Sequence, residues 1–288
     1  MRKSAFCVLA GLLMMSAKAL SQDPKFYIFL SFGQSNMEGF PGLEEQDKGP
    51  VDERFKVLAA VDFPELGRKQ GEWHPAVPPL CRPGNGIGPT DYFGRILVAA
   101  LPKDITVGVV NVSVAGAKIE AFDPARIEAY EAAAPQWMKG IIKSYGGNPY
   151  ARLVETAKLA QKDGVIKGIL LHQGESNTND KEWPVRIKAI YENLLKDLNL
   201  KATDVPLLAG EVVNADQKGA CASMNTIIGE LPKTISTAHV ISSKGCQSRP
   251  DHLHFSPEGY REFGKRYGQE MLSILGHKPA GGEAPESP

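Results

Sequence analysis

From residue 26 to residue 275, short and almost wholly apolar runs alternate with longer amphipathic stretches. No other feature of the chain restricts its fold as much. Strands are expected at Phe26–Ser31, Val107–Val112, Gly168–His172, Val205–Gly210 and His239–Ser242. Helices are expected at Tyr92–Leu101, Tyr150–Asp163, Val185–Leu198, Ala222–Leu231 and from Pro257 to about Leu275, the last opened by Ser256 as N-cap with proline in the first turn. Runs such as "VGVVNV" and "KGILLH" are apolar at nearly every position, as strands covered on both faces must be. Strand and helix in alternation imply βα units, a parallel sheet and a helical layer on each side. The expected fold is a three-layer α/β/α sandwich with a central, mainly parallel five-stranded sheet, formed as one domain over residues 22–276. A chain of 288 residues, 42% of them apolar, can bury one such core.

The ends read differently. Arg2 and Lys3 precede an apolar stretch from Ala5 to Met15 and the small-residue site Ala17-Lys18-Ala19. That pattern is a secretory signal peptide, assigned to residues 1–21. The apolar stretch falls short of the roughly 20 residues of a membrane span, and Cys7 lies too early for a lipid anchor. Export to the periplasm or the extracellular space is expected. The tail 277–288, "HKPAGGEAPESP", is expected to be disordered. Removing residues 1–19 takes three basic residues and no acids, so 30 basic residues face 33 acidic ones and the net charge is near −3. Such a balance gives no electrostatic case for nucleic acid. It suits a neutral polymer or a small polar substrate. Cys81, Cys221 and Cys246 remain, an odd number; a Cys221–Cys246 disulfide and three free thiols are comparable expectations. No cysteine or histidine spacing suggests zinc.

Four stretches carry chemistry when taken together. In "FGQSNMEGF" the chain leaves an apolar strand and at once presents a polar turn, where Gly33 permits the bend and Ser35 offers its hydroxyl. Met37 stands where a nucleophile elbow of the G-x-S-x-G type needs glycine. A serine hydroxyl needs a base. In "RPDHLHFSPEGY", Asp251 and His254 are three residues apart before a helix, so the carboxylate can hold one imidazole nitrogen and leave the other for Ser35. His252 is the competitor, expected to point elsewhere. Developing negative charge on an attacked carbonyl needs donors. "NVSVAGAKIE" and "LLHQGESN" end two further strands and supply Gly116 and Gln173.

With GQSNM, a glycine after the second strand, HQGES and D-x-x-H in this order, the chain resembles the SGNH hydrolase superfamily, whose sheet is flavodoxin-like. Within it, the sequence is similar to the carbohydrate esterase family six and sialate O-acetylesterase branch, which includes acetylxylan esterases. The similarity runs from about Phe26 to Leu275. The resemblance implies Ser35 as nucleophile, His254 as base and Asp251 as its orienting acid. It implies an oxyanion hole of the Ser35 and Gly116 N–H groups and the Gln173 side chain, where many superfamily members use Asn. It implies no cofactor and no metal. Three positions depart from the family pattern: Ala115-Gly116-Ala117 replaces Gly-Gly-Thr, Phe122 stands where Trp is common, and Asn177 stands where Asp is frequent. These are expected to adjoin the acyl or sugar site.

The expected activity is removal of O-acetyl groups from carbohydrate, with acetylated xylan or its oligosaccharides as the substrate partner. The alternatives are a sialate O-acetylesterase, for which Lys118 or Arg82 could bind the carboxylate, a general short-chain carboxylesterase, and a non-catalytic carbohydrate-binding protein. The long Gly- and Pro-rich segments 41–89 and 118–149 are expected to wall the cleft, with Trp73, Tyr130 or Trp137 as stacking candidates.

Overall fold

The computed structural model describes residues 22–40 and 42–278. The expected signal peptide (1–21) and nearly all of the expected disordered tail (277–288) lie outside the described residues. Seven strands form one sheet: β1 (Asp23–Gly33), β2 (Phe55–Leu58), β3 (Trp73–Pro75), β4 (Thr106–Ser113), β5 (Gly164–His172), β6 (Leu207–Gly210) and β7 (Ala238–Ile241). Their order is β3-β2-β4-β1-β5-β6-β7, and every neighbouring pair is parallel except β2 with β3. The helices that position the site or cover the sheet are α1 (Ser35–Glu38), α2 (Pro89–Ala100), α3 (Gln136–Ser144), α4 (Pro149–Ala160), α5 (Trp183–Asp197) and α6 (Pro257–Ile274).

Side chains alternate across each strand, so one strand feeds two cores. Ile28, Leu30 and Phe32 of β1 enter the core shared with α4 and α5, whereas Phe29 enters the core shared with α2 and α6. Val110 and Val112 of β4 and Ile169 and Leu171 of β5 follow the first group; Val107, Val109 and Leu170 follow the second. All of these residues are fully buried. The three layers expected from the apolar runs are present.

The sheet has seven strands where five were expected. The extra two lie in segment 41–89, which is therefore not only a cleft wall. β2 and β3 are four and three residues long, too short for an alternation to register in sequence. Pro75 is tolerated because β3 is the edge. The helix expected at Ala222–Leu231 is two short ones, Met224–Ile228 and Leu231–Thr234. The break falls at Gly229 and Glu230, and Pro232 sits in the first turn of the second helix, where a missing N–H costs nothing. Cys81, Cys221 and Cys246 are all free thiols, and the Cys221–Cys246 bond is absent. Cys221 instead donates to the Glu175 carbonyl at 3.7 Å. Among the described residues, no helix is long and apolar enough to cross a membrane.

Register fixes where chemistry can occur. Gly33 pairs with Ser113 of β4 and with His172 of β5, so the three central strands end level. The chain runs to one side of β1 for β2 to β4 and to the other side for β5 to β7. The carboxyl end of β1 is thus a topological switch point, where parallel sheets open a crevice.

Candidate active site

β1 stops at Gly33 because nothing else fits there. Its φ is +154°, and a Cβ would sit 2.0 Å from the His172 carbonyl oxygen of β5. The turn delivers Ser35 as the first residue of α1, at the rim where residues 114–117 and 173–176 also emerge.

The segment bearing His254 reaches this rim from 219 positions away. Ser35 Oγ lies 2.9 Å from His254 Nε2, and His254 Nδ1 lies 2.8 Å from Asp251 Oδ2. The other Asp251 oxygen accepts from the backbone N–H groups of Leu253 (2.9 Å) and His254 (3.0 Å). Desolvation pushes the Asp251 carboxyl upward, but the hydrogen bonds from the His254 backbone and imidazole and from Leu253 together hold it below the usual carboxylate range. An ionised carboxylate only accepts, so Nδ1 carries the proton and Nε2 presents a lone pair to the serine hydroxyl. Phe40 stacks on the imidazole, with centroids 3.9 Å apart and planes at 13°. That contact sets the plane of the ring. Its sequence signal was weak, since an aromatic after a polar turn usually serves packing.

Asn36 explains why the two segments meet. This buried side chain donates from Nδ2 to the Leu253 carbonyl (3.0 Å) and to Glu175 Oε1 (2.5 Å). Its Oδ1 accepts from the Phe255 N–H (3.3 Å) and the Tyr260 hydroxyl (2.6 Å). One amide therefore grips the residues on either side of His254. Sequence reading assigned Asn36 no role. His252 is turned away as expected: its Nδ1 meets the Gln217 carbonyl at 3.1 Å, and its φ is +53°.

Gln173 is on the same rim but stands behind it. The orientation of the amides there follows from donors that cannot be reversed. The Ile119 N–H donates to Asn177 Oδ1 (2.9 Å), so Gln173 must offer Nε2 to that oxygen (2.7 Å). The indole of Trp183 donates to Gln173 Oε1 (2.5 Å). Gln173 Nε2 also reaches the Ala117 carbonyl and Gln34 Oε1, both at 3.2 Å. Its two N–H groups are taken, and it is not among the residues lining the cleft. The expected oxyanion role of Gln173 is therefore not what this geometry provides. Gln34 does line the cleft. Its Oε1 accepts from Gln173 Nε2 and from the Ser176 N–H (3.3 Å), which leaves its NH₂ for the cleft beside Ser35. Gly116 also lines it, with φ +65°, and its carbonyl accepts from Ser176 Oγ at 2.9 Å.

The cleft is a hollow of about 370 Å³ whose walls include Ser35, His254, Phe40, Gly116, Gln34 and Trp137. Of the stacking candidates only Trp137 reaches it. Trp73 is a strand residue that donates to Asp163 (2.9 Å) and packs on Phe26, and the Tyr130 hydroxyl accepts from the Lys118 N–H. Phe122 is wholly buried against Phe32. Asn177 Nδ2 donates to Glu120 and Asp180, two carboxylates that an aspartate at 177 would repel. Of the three departures from the family pattern only the first, through Ala115 and Gly116, adjoins the cleft.

A family model described as SASA, carbohydrate esterase, sialic acid-specific acetylesterase, matches residues 25–273. Similar solved structures include a protein from Arabidopsis thaliana, 21% identical over 87% of this chain and 99% of that one, with a TM-score of 0.65. NanS is 18% identical over 88% and 98%, with a TM-score of 0.61. A carbohydrate acetylesterase from Xanthomonas citri is 17% identical over 86% of this chain and 56% of that one, at 0.58. At such identities the structures speak for the fold; the family model speaks for the class of chemistry.

Proposed function

The chain belongs to this carbohydrate esterase family and is a carboxylic ester hydrolase of the SGNH type, and from that premise we propose that it deacetylates xylan or xylo-oligosaccharides through an acetyl-enzyme on Ser35. The observation that carries this reading is the continuous relay Ser35–His254–Asp251 opening on a cleft.

Ser35 Oγ attacks the acetyl carbonyl while His254 Nε2 takes the hydroxyl proton, and Asp251 stabilises the imidazolium that forms. The tetrahedral oxyanion rests on the N–H groups of Ser35 and Gly116. Gln34 supplies a third donor, and Gln173 has a positioning role, holding the Gln34 amide by its oxygen. His254 then protonates the sugar oxygen as it leaves. Water, deprotonated by His254, attacks the acetyl-enzyme and releases acetate and free Ser35. Gln34→Ala is expected to lower kcat about 10²–10³-fold with a much smaller change in KM, the loss typical of one oxyanion donor. Steady-state kinetics on a soluble acetate ester checks it, and an unaltered kcat would remove Gln34 from the hole.

The family description favours sialate, and the cleft walls favour a neutral sugar. None of the described residues lining the cleft is Lys or Arg. Arg82 lies outside it, its Nε 2.7 Å from the buried carboxylate of Glu38. Among the described residues lining the cleft, a sialate carboxylate would therefore find no cationic side chain. Acetate release measured side by side should be faster from acetylated xylan than from O-acetylated sialic acid. The reverse ranking would transfer the assignment to sialate.

A further inference from the structure

A second hollow of about 320 Å³, at the small end of ligand pockets, adjoins the cleft and shares Trp137 with it. Trp137 is 57% exposed, the most exposed large hydrophobic side chain among the described residues. The Cη2 edge of its indole stands 2.8 Å from where a Gly116 Cβ would be, so the ring is the partition between the catalytic centre and the second hollow. On α3 the residues Trp137, Gly140, Ile141 and Ser144 recur at the spacing of one helical face and all line this hollow, while Met138 and Ile142 turn to the core. Gly140 is the informative one. Glycine weakens a helix interior, and here no packing demands it, since a Cβ would meet nothing within 4 Å. The helix is bare where an occupant would lie.

Opposite stand Arg82 and Asp62. Arg82 donates to Glu38 at 2.7 Å and to the Pro83 carbonyl at 3.4 Å, and keeps further donors of its planar fork. Its charge is answered by Glu38, and Asp62 adds a carboxylate to the wall, so the hollow has no positive excess for an anionic sugar. A flat indole, a bare helix face and a rim of fixed hydrogen-bonding groups complement a pyranose, which is apolar on its C–H faces and polar at its edge.

We propose that this hollow is a second glycosyl subsite, which takes the neutral sugar next to the acetylated one and makes the enzyme act on oligomers in preference to monosaccharide acetates. The inference rests on the carbohydrate deacetylase reading above and extends it to chain length. The test compares kcat/KM for acetylated xylose, acetylated xylotriose and 4-nitrophenyl acetate in the wild type, Gly140→Leu and Trp137→Ala. In the wild type kcat/KM is expected to rise at least 10-fold from xylose to xylotriose. Gly140→Leu fills the hollow from a helix position with open space around it, and should erase that rise while its melting temperature stays at or above that of the wild type. Trp137→Ala should erase it as well. A wild type with no gain in length, or a Gly140→Leu variant that keeps the gain, overturns the subsite. Turnover of 4-nitrophenyl acetate with no acetate from any sugar overturns the carbohydrate reading itself, and the subsite with it.

Discussion

Ser35→Ala is expected to lower kcat for acetate release about 10⁴–10⁶-fold while leaving the fold intact. Both halves of that statement come from the geometry. The hydroxyl is placed to attack within reach of the His254 lone pair, and it makes one side-chain hydrogen bond, to Nε2 at 2.9 Å. Alanine removes that bond and nothing else. The neighbouring anchors, Gly33 against β5 and Asn36 against the His254 segment, are untouched. The residual rate should be that of oriented water with the oxyanion donors still present. Melting temperature and acetate release on the same preparation decide the matter. A variant that melts like the wild type and still releases acetate within tenfold of its rate would refute the acetyl-enzyme. Labelling by a serine-reactive phosphonate gives a second reading: a carbohydrate-binding protein without catalysis would stay unmodified at Ser35.

Asn36→Ala is expected to damage stability and catalysis together. Its amide makes four hydrogen bonds in a buried place, and truncation leaves the Tyr260 hydroxyl, the Glu175 carboxylate, the Leu253 carbonyl and the Phe255 N–H short of a partner. Stranded buried polar groups are worth about 1–3 kcal/mol each before relaxation, so a net loss of roughly 3–4 kcal/mol is expected. Urea unfolding measures it. The catalytic effect has a separate cause. With the grip on residues 253 and 255 released, the backbone on either side of His254 loses its tie to the Ser35 turn, and kcat should fall at least tenfold with little change in KM. Asn36→Asp should not rescue, because an oxygen would then replace Nδ2 opposite two acceptors. Wild-type stability and kcat in Asn36→Ala would show that the two segments are brought together by something else.

Much of this site was legible in the sequence, and the reason is chemical. Ser35, Asp251 and His254 are distinctive because a hydroxyl after an apolar strand and a carboxylate three residues before an imidazole have few purely structural uses in combination. The structure brings all three together. Gly116 reaches the cleft for the reason a strand-end glycine suggests: its φ of +65° disfavours any side chain. The long strands β1, β4 and β5 were readable since each is apolar on both faces. The edge pair β2 and β3 was not, because three or four residues hold no period and Pro75 argues against a strand.

Gln34 and Gln173 show where sequence reading stops. Both are amides next to strand ends, and either could face a substrate. The difference arises from the Ile119 N–H, the Ser176 N–H and the Trp183 indole, which polarise the amide chain in one direction and leave Gln34 with the free donors. Trp73, Tyr130 and Trp137 were likewise equivalent as aromatics in long segments. Burial and hydrogen bonding removed two of them from the cleft.

By itself the sequence determined the layer architecture and the chemical identity of the relay, since periodicity and side-chain type are properties of the chain read locally. The tertiary structure alone decided which amide faces the cleft, which aromatic borders it, and that one buried asparagine joins residues more than two hundred positions apart. Those outcomes depend on which donors and acceptors are already satisfied by neighbours in space, and no local stretch of sequence carries that information.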